Sequence, residues 1–135
     1  MRFLIVEDDF TSRKYFQKML APYGECDLAV NGQEAVEAFV QALSENRPYD
    51  LITMDIMMPV MDGQEALKLI RQAERTRGIK DAGETKVIMT TALDDPRNVV
   101  EAYYRGGATS YLTKPVDRSQ FLSLLQNLGI ISEYD

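Results

Sequence analysis

The stretch LITMDIMMPVMDG, residues 51–63, carries the clearest structural signal in the sequence. Its first four residues are nearly all apolar, as expected for a strand buried on both faces of a parallel sheet. Asp55 follows this run directly. Asp62 then begins a capping box, because an aspartate N-cap is followed three residues later by Glu65. The stretch therefore predicts a buried strand, a loop that opens on an acidic residue, and a helix.

The same alternation of strand and helix patterns extends in both directions from this stretch. Further apolar runs predict strands at 3–6, 26–30, 87–90 and 110–113. Apolar residues at helical spacing predict helices around Phe16–Leu20, Val36–Leu43, Leu67–Ala73, Val99–Tyr103 and Phe121–Leu128. Asp95-Pro96 and Asp117 with Gln120 supply two more helix starts. Five strand–helix pairs predict an α/β protein, a doubly wound five-stranded parallel sheet with right-handed crossovers. We expect one domain over 1–135, with a core at about 3–128.

Composition narrows the classes of function. The 135 residues fit one domain, and the net charge of −6 argues against nonspecific nucleic-acid binding. Cys26 has no second cysteine to pair with, which favours a reducing, cytoplasmic setting. No apolar run reaches the ~20 residues of a membrane helix, and the first residues do not read as a signal peptide. Histidine is absent, so any phosphohistidine in the chemistry must come from a partner.

Polar residues follow four of the predicted strands. In open parallel sheets the ligands bind beyond the carboxyl ends of the strands, so these residues are expected to meet at one edge. They are Glu7, Asp8 and Asp9 after the first strand, Asp55 after the third, Thr90 and Thr91 after the fourth, and Lys114 with Pro115 after the fifth. Taken singly, each group is more simply explained as a solvated loop. Their predicted convergence on one edge indicates a site.

The clustered acids indicate a hard divalent cation. Two unit charges 4 Å apart repel by about 4 kcal/mol at an effective dielectric constant of 20, so acids sharing a crevice raise one another's pKa or bind a cation. Oxygen ligands beside a phosphate suit magnesium. The acidic first loop also argues against a nucleotide cradle, which needs glycines and free backbone amides. A metal together with a phosphoryl group on an aspartate satisfies both constraints, with Lys114 and the Thr91 hydroxyl as further contacts.

Four motifs together resemble the receiver domain of bacterial two-component response regulators, the group that includes CheY. They are LIVEDD at 4–9, MDIMMPVMDG at 54–63, TA at 91–92 and GGATSYLTKP at 106–115. They occur in the family's order and at family-like separations, and the resemblance covers about 3–128. It implies the flavodoxin-like (βα)5 fold with strand order 2-1-3-4-5.

The resemblance also implies a role for each matching residue. Asp55 would be the phosphoacceptor, and Lys114 would pair with it or with its phosphate. Magnesium, for which manganese could substitute, would be held by Glu7, Asp8, Asp55 and the backbone carbonyl of Met57. Thr91 would be the switch hydroxyl and Tyr111 the aromatic side chain that changes rotamer with it. In relatives the bond that corresponds to Lys114-Pro115 is usually cis.

Three features depart from these motifs or extend them. Asp9 is expected to be solvated or to cap the first helix rather than to bind metal. Met57 and Leu93 stand where relatives often carry polar side chains that influence the hydrolytic water, which predicts a long-lived aspartyl phosphate. The connection over 75–86 is longer than usual, and it reads equally as a mobile loop or as a contact specific to a partner.

The resulting functional prediction is a phosphorylation-controlled interaction module, not a conventional enzyme: it catalyses its own phosphoryl transfer and its own slow dephosphorylation. A sensor histidine kinase or a histidine phosphotransfer protein would donate the group. No output domain is expected after Leu128, so a protein effector would dock near the fourth predicted helix, the fifth strand and the fifth predicted helix. A chemotaxis-type regulator and a phosphorelay intermediate both remain open. The alternatives are a constitutive scaffold and an aspartate-nucleophile phosphohydrolase, which would need an acid in place of Met57.

Overall fold

The computed structural model describes residues 1–92 and 107–133. Five parallel strands form one sheet in the order β2-β1-β3-β4-β5. The strands are β1 (Arg2–Val6), β2 (Glu25–Ala29), β3 (Leu51–Asp55), β4 (Lys86–Thr91) and β5 (Ser110–Thr113). The predicted fold class and strand order are therefore confirmed. The observed strand ends lie within one residue of those predicted from the apolar runs.

The described helices are α1 (Phe10–Leu20), α2 (Gly32–Ser44), α3 (Gly63–Thr76) and α4 (Arg118–Asn127), which is the fifth helix of the sequence prediction. Short 3-10 turns follow α1 at Ala21–Tyr23 and α3 at Asp81–Gly83. The fourth predicted helix lies outside the described residues, as do Leu93 and Asp95-Pro96. None of the helices in the described part of the chain has the length and apolarity needed to cross a membrane.

Side-chain oxygens cap all four of these helices. Asp62 and Asp117 accept from the backbone amides three residues ahead, at 2.9 Å each, as the capping boxes predicted. Asp9 caps α1 in the same way, accepting from the Ser12 amide at 2.8 Å. This accounts for Asp9 as a capping residue. Asn31 caps α2, which the sequence analysis did not anticipate.

Each face of the sheet is covered by its own apolar cluster. On one face, Phe39 of α2 and Leu67 of α3 pack with Leu4 and Ile52 of the sheet. On the other face, Phe16 of α1 meets Phe121 of α4 edge to face, with ring centroids 5.4 Å apart. Burial on both sides explains why β1, β3 and β4 are apolar nearly throughout. It also leaves the ends of the strands as the places where polar groups can collect.

The long connection between α3 and β4 is anchored by a buried ion pair. Arg71 and Glu74 lie 2.7 Å apart, and their side chains are 6% and 1% exposed. Glu74 accepts from the backbone amide of Thr85 at 2.7 Å, while Arg71 donates to the carbonyls of Thr85 and Gly107 at 2.9 and 3.0 Å. The end of the connection is thereby fixed to α3 and to the residues that lead into β5.

Candidate functional site

Backbone hydrogen bonds carry the sheet pattern past the strand ends and position the predicted site residues. The amide of Glu7 donates to the carbonyl of Ala29 at 3.0 Å, and the amide of Lys114 donates to the carbonyl of Thr91 at 2.8 Å. Asp55 is the last residue of β3, where its register partner on β4 is Thr90. Glu7, Asp55 and Lys114 therefore emerge side by side at the carboxyl edge of the sheet.

Three carboxylates converge at this edge. One oxygen from each of Glu7, Asp8 and Asp55 lies within 4.8 Å of the other two. Glu7 is 1% exposed and Asp55 is 7% exposed, whereas Asp8 faces solvent. This donor set consists of oxygens only, which suits a hard cation such as magnesium and does not suit a soft transition metal. The residues present therefore fit a divalent hard cation.

The ammonium group of Lys114 lies among the same carboxylates. Its Nζ atom is 3.1 Å from Oε2 of Glu7 and 3.2 Å from Oδ2 of Asp55. The lysine side chain is 30% exposed, so the contact is only partly screened by solvent. One ammonium group thus bridges two nearly buried carboxyl groups.

Burial and charge perturb the acid–base behaviour of this cluster. Burial, followed by the negative charge of Asp55, raises the pKa of Glu7 to about 7, although Lys114 acts in the opposite direction. Burial by itself would lower the pKa of Lys114, but the charges of Asp55 and Glu7 and the hydrogen bonds to them raise it above its ordinary value. Perturbed groups that share a cleft are typical of functional sites.

The loop after Asp55 is packed closely against the end of β3. The amide of Gly63 donates to the carbonyl of Ile56 at 2.8 Å. A Cβ atom at Gly63 would lie 2.4 Å from the carbonyl oxygen of Asp55, so no side chain fits there. The amide of Met57 lies 3.4 Å from Oδ1 of Asp55, while the Met57 side chain is 62% exposed. Metal binding by the Met57 carbonyl stays a prediction.

The two predicted switch residues lie on neighbouring strands. Thr91 is 1% exposed at the end of β4, and its hydroxyl donates to the carbonyl of Ala92 at 3.4 Å. Tyr111 is 42% exposed on β5, opposite Met89 in the register. Their role as a switch stays a prediction. The Lys114-Pro115 bond is cis, as the resemblance implied.

Two side chains of α1 contact the site backbone, and the sequence analysis singled out neither. Arg13 donates to the carbonyl of Glu7 at 2.8 Å. The hydroxyl of Tyr15 donates to the carbonyl of Val116 at 3.0 Å. A groove of about 680 Å³ runs between α1 and the residues that follow β5, with Tyr15, Lys114 and Val116 in its walls. Nothing in the local sequence pattern indicates the contact between Tyr15 and Val116, which are 101 positions apart.

Comparison with known proteins gives a consistent family. The sequence profile of the response regulator receiver domain matches residues 3–126. The two-component response regulator ORR41 of Oryza sativa subsp. japonica is 34% identical over 134 residues, covering 97% of this chain and 91% of the relative. Other curated relatives are longer: the chain spans 54% of a probable transcriptional regulator and 4–13% of several histidine kinases.

Solved structures of receiver domains share the fold. The receiver domain of sensor histidine kinase PA1611 from Pseudomonas aeruginosa PAO1 was solved with a magnesium ion in its active site cleft. It has a TM-score of 0.74 and 29% identity, covering 93% of this chain and 94% of that one. The receiver domain of the Saccharomyces cerevisiae response regulator Ssk1 was solved with the histidine phosphotransfer signaling protein Ypd1. That match has a TM-score of 0.81 and 28% identity, covering 100% of this chain and 94% of the other.

Proposed function

The chain belongs to the response regulator receiver family, and from this premise we propose that Asp55 accepts a phosphoryl group from a phosphohistidine of a partner protein. The observation that carries the proposal is the placement of Asp55 between Lys114 and the acidic pair Glu7 and Asp8. Receivers of this kind are signalling modules of phosphorelays rather than conventional enzymes. We propose that this chain likewise acts on itself, by accepting the group and slowly losing it.

In the proposed transfer, a carboxylate oxygen of Asp55 attacks the phosphorus of the phosphohistidine. A P–O bond forms while the P–N bond breaks, and the electron pair of that bond leaves with the imidazole nitrogen of the partner. Lys114 already lies 3.2 Å from Asp55, so its ammonium can exchange a carboxylate oxygen for a phosphoryl oxygen with little movement. Placed there, a cation stabilises charge that develops in transfer.

We propose that Glu7, Asp8 and Asp55 hold magnesium, with manganese as a possible substitute and the Met57 carbonyl as a further ligand. When bound, the ion supplies positive charge to the phosphoryl oxygens. The magnesium ion in the PA1611 receiver domain supports this assignment. Arg13 of this chain contributes indirectly, because its hydrogen bond to the Glu7 carbonyl fixes the turn that carries both acids.

The phosphodonor that we propose is a histidine phosphotransfer protein or a sensor histidine kinase. The co-crystal of Ypd1 with the Ssk1 receiver domain supports the first class. In this chain, α1 borders the groove beside Lys114, and its eleven residues include three basic side chains and no acidic one. An approaching donor therefore meets a helix that carries basic side chains, on a protein whose net charge is negative.

The proposed output is altered docking of a protein effector near β5 and α4, coupled to Asp55 through Thr91 and Tyr111. A groove between β5 and α4 includes Tyr111 and Leu124 in its walls. Cytoplasmic location, and the absence of nucleic-acid binding and of membrane insertion, belong to the same proposal. The cytoplasmic location rests on the single cysteine, and the lack of nucleic-acid binding rests on the acidic charge.

The direct test is to incubate the protein with acetyl phosphate and magnesium and to follow its intact mass. The wild type should gain one phosphate-sized adduct, and Asp55→Asn should gain none. Asp81→Asn, which changes an acid in the α3–β4 connection, is the matched control and should behave like the wild type. An equal adduct on Asp55→Asn would place the acceptor elsewhere, and no adduct on the wild type would contradict the proposal.

A further inference from the structure

The hydroxyl of Tyr15 joins α1 to the segment that carries Lys114. It donates to the carbonyl oxygen of Val116 at 3.0 Å across 101 positions of sequence. Val116 lies two residues after Lys114, within the short link from β5 to α4. The bond is therefore a tertiary contact between a helix surface and a loop that follows a site residue.

Besides the packing of Val116 against the core, three hydrogen bonds between described residues hold the link from Lys114 to Asp117. At its start, the Lys114 amide donates to the Thr91 carbonyl of β4 at 2.8 Å. At its end, Asp117 caps α4 by accepting from the Gln120 amide at 2.9 Å. Tyr15 holds the stretch between these points, on the side that faces α1. The other two hydrogen bonds belong to the sheet and to the cap of α4. Among these three, the hydrogen bond of Tyr15 is the one that comes from α1.

The contact is suited to positioning rather than to holding the core together. Tyr15 is 39% exposed, whereas its neighbour Phe16 is 3% exposed and packs against Phe121. Removal of the Tyr15 hydroxyl therefore leaves the apolar packing of α1 in place. Removal of the hydroxyl also leaves the carbonyl of Val116 without this donor, so the backbone next to Lys114 can move. The Nζ atom of Lys114 must stay within reach of Asp55. Small displacements of a reacting group lower rates strongly.

We propose that Tyr15 is a positioning residue for phosphoryl transfer. Its hydroxyl holds the backbone of Val116 against α1 and so keeps the ammonium group of Lys114 at Asp55 and Glu7. This inference rests on the proposed function, because it assigns Lys114 the role of contacting the transferred group. It adds a residue outside the acid cluster and outside the loop that follows β5.

The test compares Tyr15→Phe with the wild type and with a control, Tyr23→Phe. Tyr23 lies just beyond α1, and its ring packs against the apolar cluster that contains Phe16. Brief acetylation with N-hydroxysuccinimide acetate, followed by peptide mass analysis, measures the reactivity of Lys114 relative to Lys80. In Tyr15→Phe, Lys114 should become about two- to tenfold more reactive, the range expected for loss of one hydrogen bond. The rate of adduct formation with acetyl phosphate should fall by a similar factor.

Two further measurements separate positioning from general damage. In Tyr15→Phe, magnesium affinity measured by calorimetry should equal or exceed that of the wild type, because an ammonium held less closely leaves the carboxylates no less negative. The urea midpoint of unfolding should fall by no more than the loss of one hydrogen bond accounts for. Lys114 reactivity equal to that of the wild type would overturn the inference. So would a fall in rate accompanied by an equal loss of magnesium affinity and by a drop in the midpoint larger than one hydrogen bond accounts for. If the wild type accepts no phosphoryl group, the proposed function fails, and the acetylation result alone decides whether Tyr15 positions Lys114.

Discussion

The Nζ atom of Lys114 lies 3.1 Å from Oε2 of Glu7, although the two residues are 107 positions apart. Glu7 is 1% exposed, so this ammonium offsets a carboxylate that water scarcely reaches. An uncompensated buried charge is costly, which makes the pair a structural element of the metal-free protein. The same ammonium must also be free to contact an incoming phosphoryl group. The Lys114 side chain therefore has two roles: it compensates the buried carboxylate, and it contacts the phosphoryl group in the proposed transfer.

The first prediction concerns Lys114→Met, which keeps the length of the side chain and removes its charge. The site becomes more negative, so magnesium affinity measured by calorimetry should tighten, by at least about threefold. Phosphoryl transfer from acetyl phosphate should instead slow by about a hundredfold, because a preorganised cation is lost. Lys80→Met, in the α3–β4 connection, is the control and should change neither quantity. Weaker magnesium binding in Lys114→Met would contradict this electrostatic account.

The second prediction concerns the pH dependence of magnesium binding. Burial and then the charge of Asp55 raise the pKa of Glu7 to about 7, so this carboxyl is largely protonated at pH 6 in the metal-free protein. Because a metal ligand must be ionised, magnesium affinity should rise with pH across 6–8, and binding near pH 7 should release a proton. Calorimetry in two buffers of different ionisation enthalpy measures that proton. Glu7→Gln should abolish the release.

The same shift predicts how the stability of the metal-free protein depends on pH. The folded-state pKa of Glu7 lies above its ordinary value of 4.5, so the folded state binds the proton more tightly than the unfolded state does. The contribution of Glu7 to stability is therefore fully present below pH 4.5 and is lost as pH rises to about 7. Urea unfolding at several pH values should show this loss in the wild type. A loss of the same size in Glu7→Gln would contradict it.

The third prediction concerns Val60, in the loop between β3 and α3. Its φ angle is +69°, a conformation that strains a β-branched residue, and its side chain is 81% exposed. Because Asn tolerates this conformation, Val60→Asn should raise the free energy of unfolding by about 1 kcal/mol. Val40→Asn, on the exposed surface of α2, is the control and should change stability little. No gain in Val60→Asn would mean that the strain is offset by contacts of the valine.

Residues near each other in sequence made much of the fold and of the site predictable. The apolar run that precedes Asp55 predicted the position of β3, because a strand buried on both faces needs apolar residues throughout. It also predicted that an acid lies at the end of this strand. The contacts of Tyr15 were not predictable, since nothing local links it to Val116. The cap of α2 at Asn31 was not predicted, because Asn-Gly is as typical of a turn as of a helix start. Charged residues on a helix are usually solvated, so nothing local predicts that Arg71 and Glu74 are buried beside Thr85.

The last prediction concerns that buried pair. Arg71 is 5% exposed and donates to the carbonyls of Thr85 and Gly107. Glu74→Gln would leave its charge buried there without a counter-ion. Breaking a buried ion pair in this way costs roughly 3–5 kcal/mol, and urea unfolding should show a loss of this order.

The matched control is Glu25→Gln, which breaks the pair between Glu25 and Arg47 at 3.2 Å and a longer contact with Arg2 at 3.9 Å. The side chains of Glu25 and Arg47 are both more than half exposed, so the loss should be within about 1 kcal/mol. Because the Arg71–Glu74 pair lies away from the acid cluster, the folded fraction of Glu74→Gln should still gain the phosphate-sized adduct. Equal losses of stability in the two variants would show that the Arg71–Glu74 pair does not anchor the connection. The α3–β4 connection would then have to be held by its remaining contacts, among them the hydrogen bond from the Thr85 hydroxyl to the carbonyl of Tyr49.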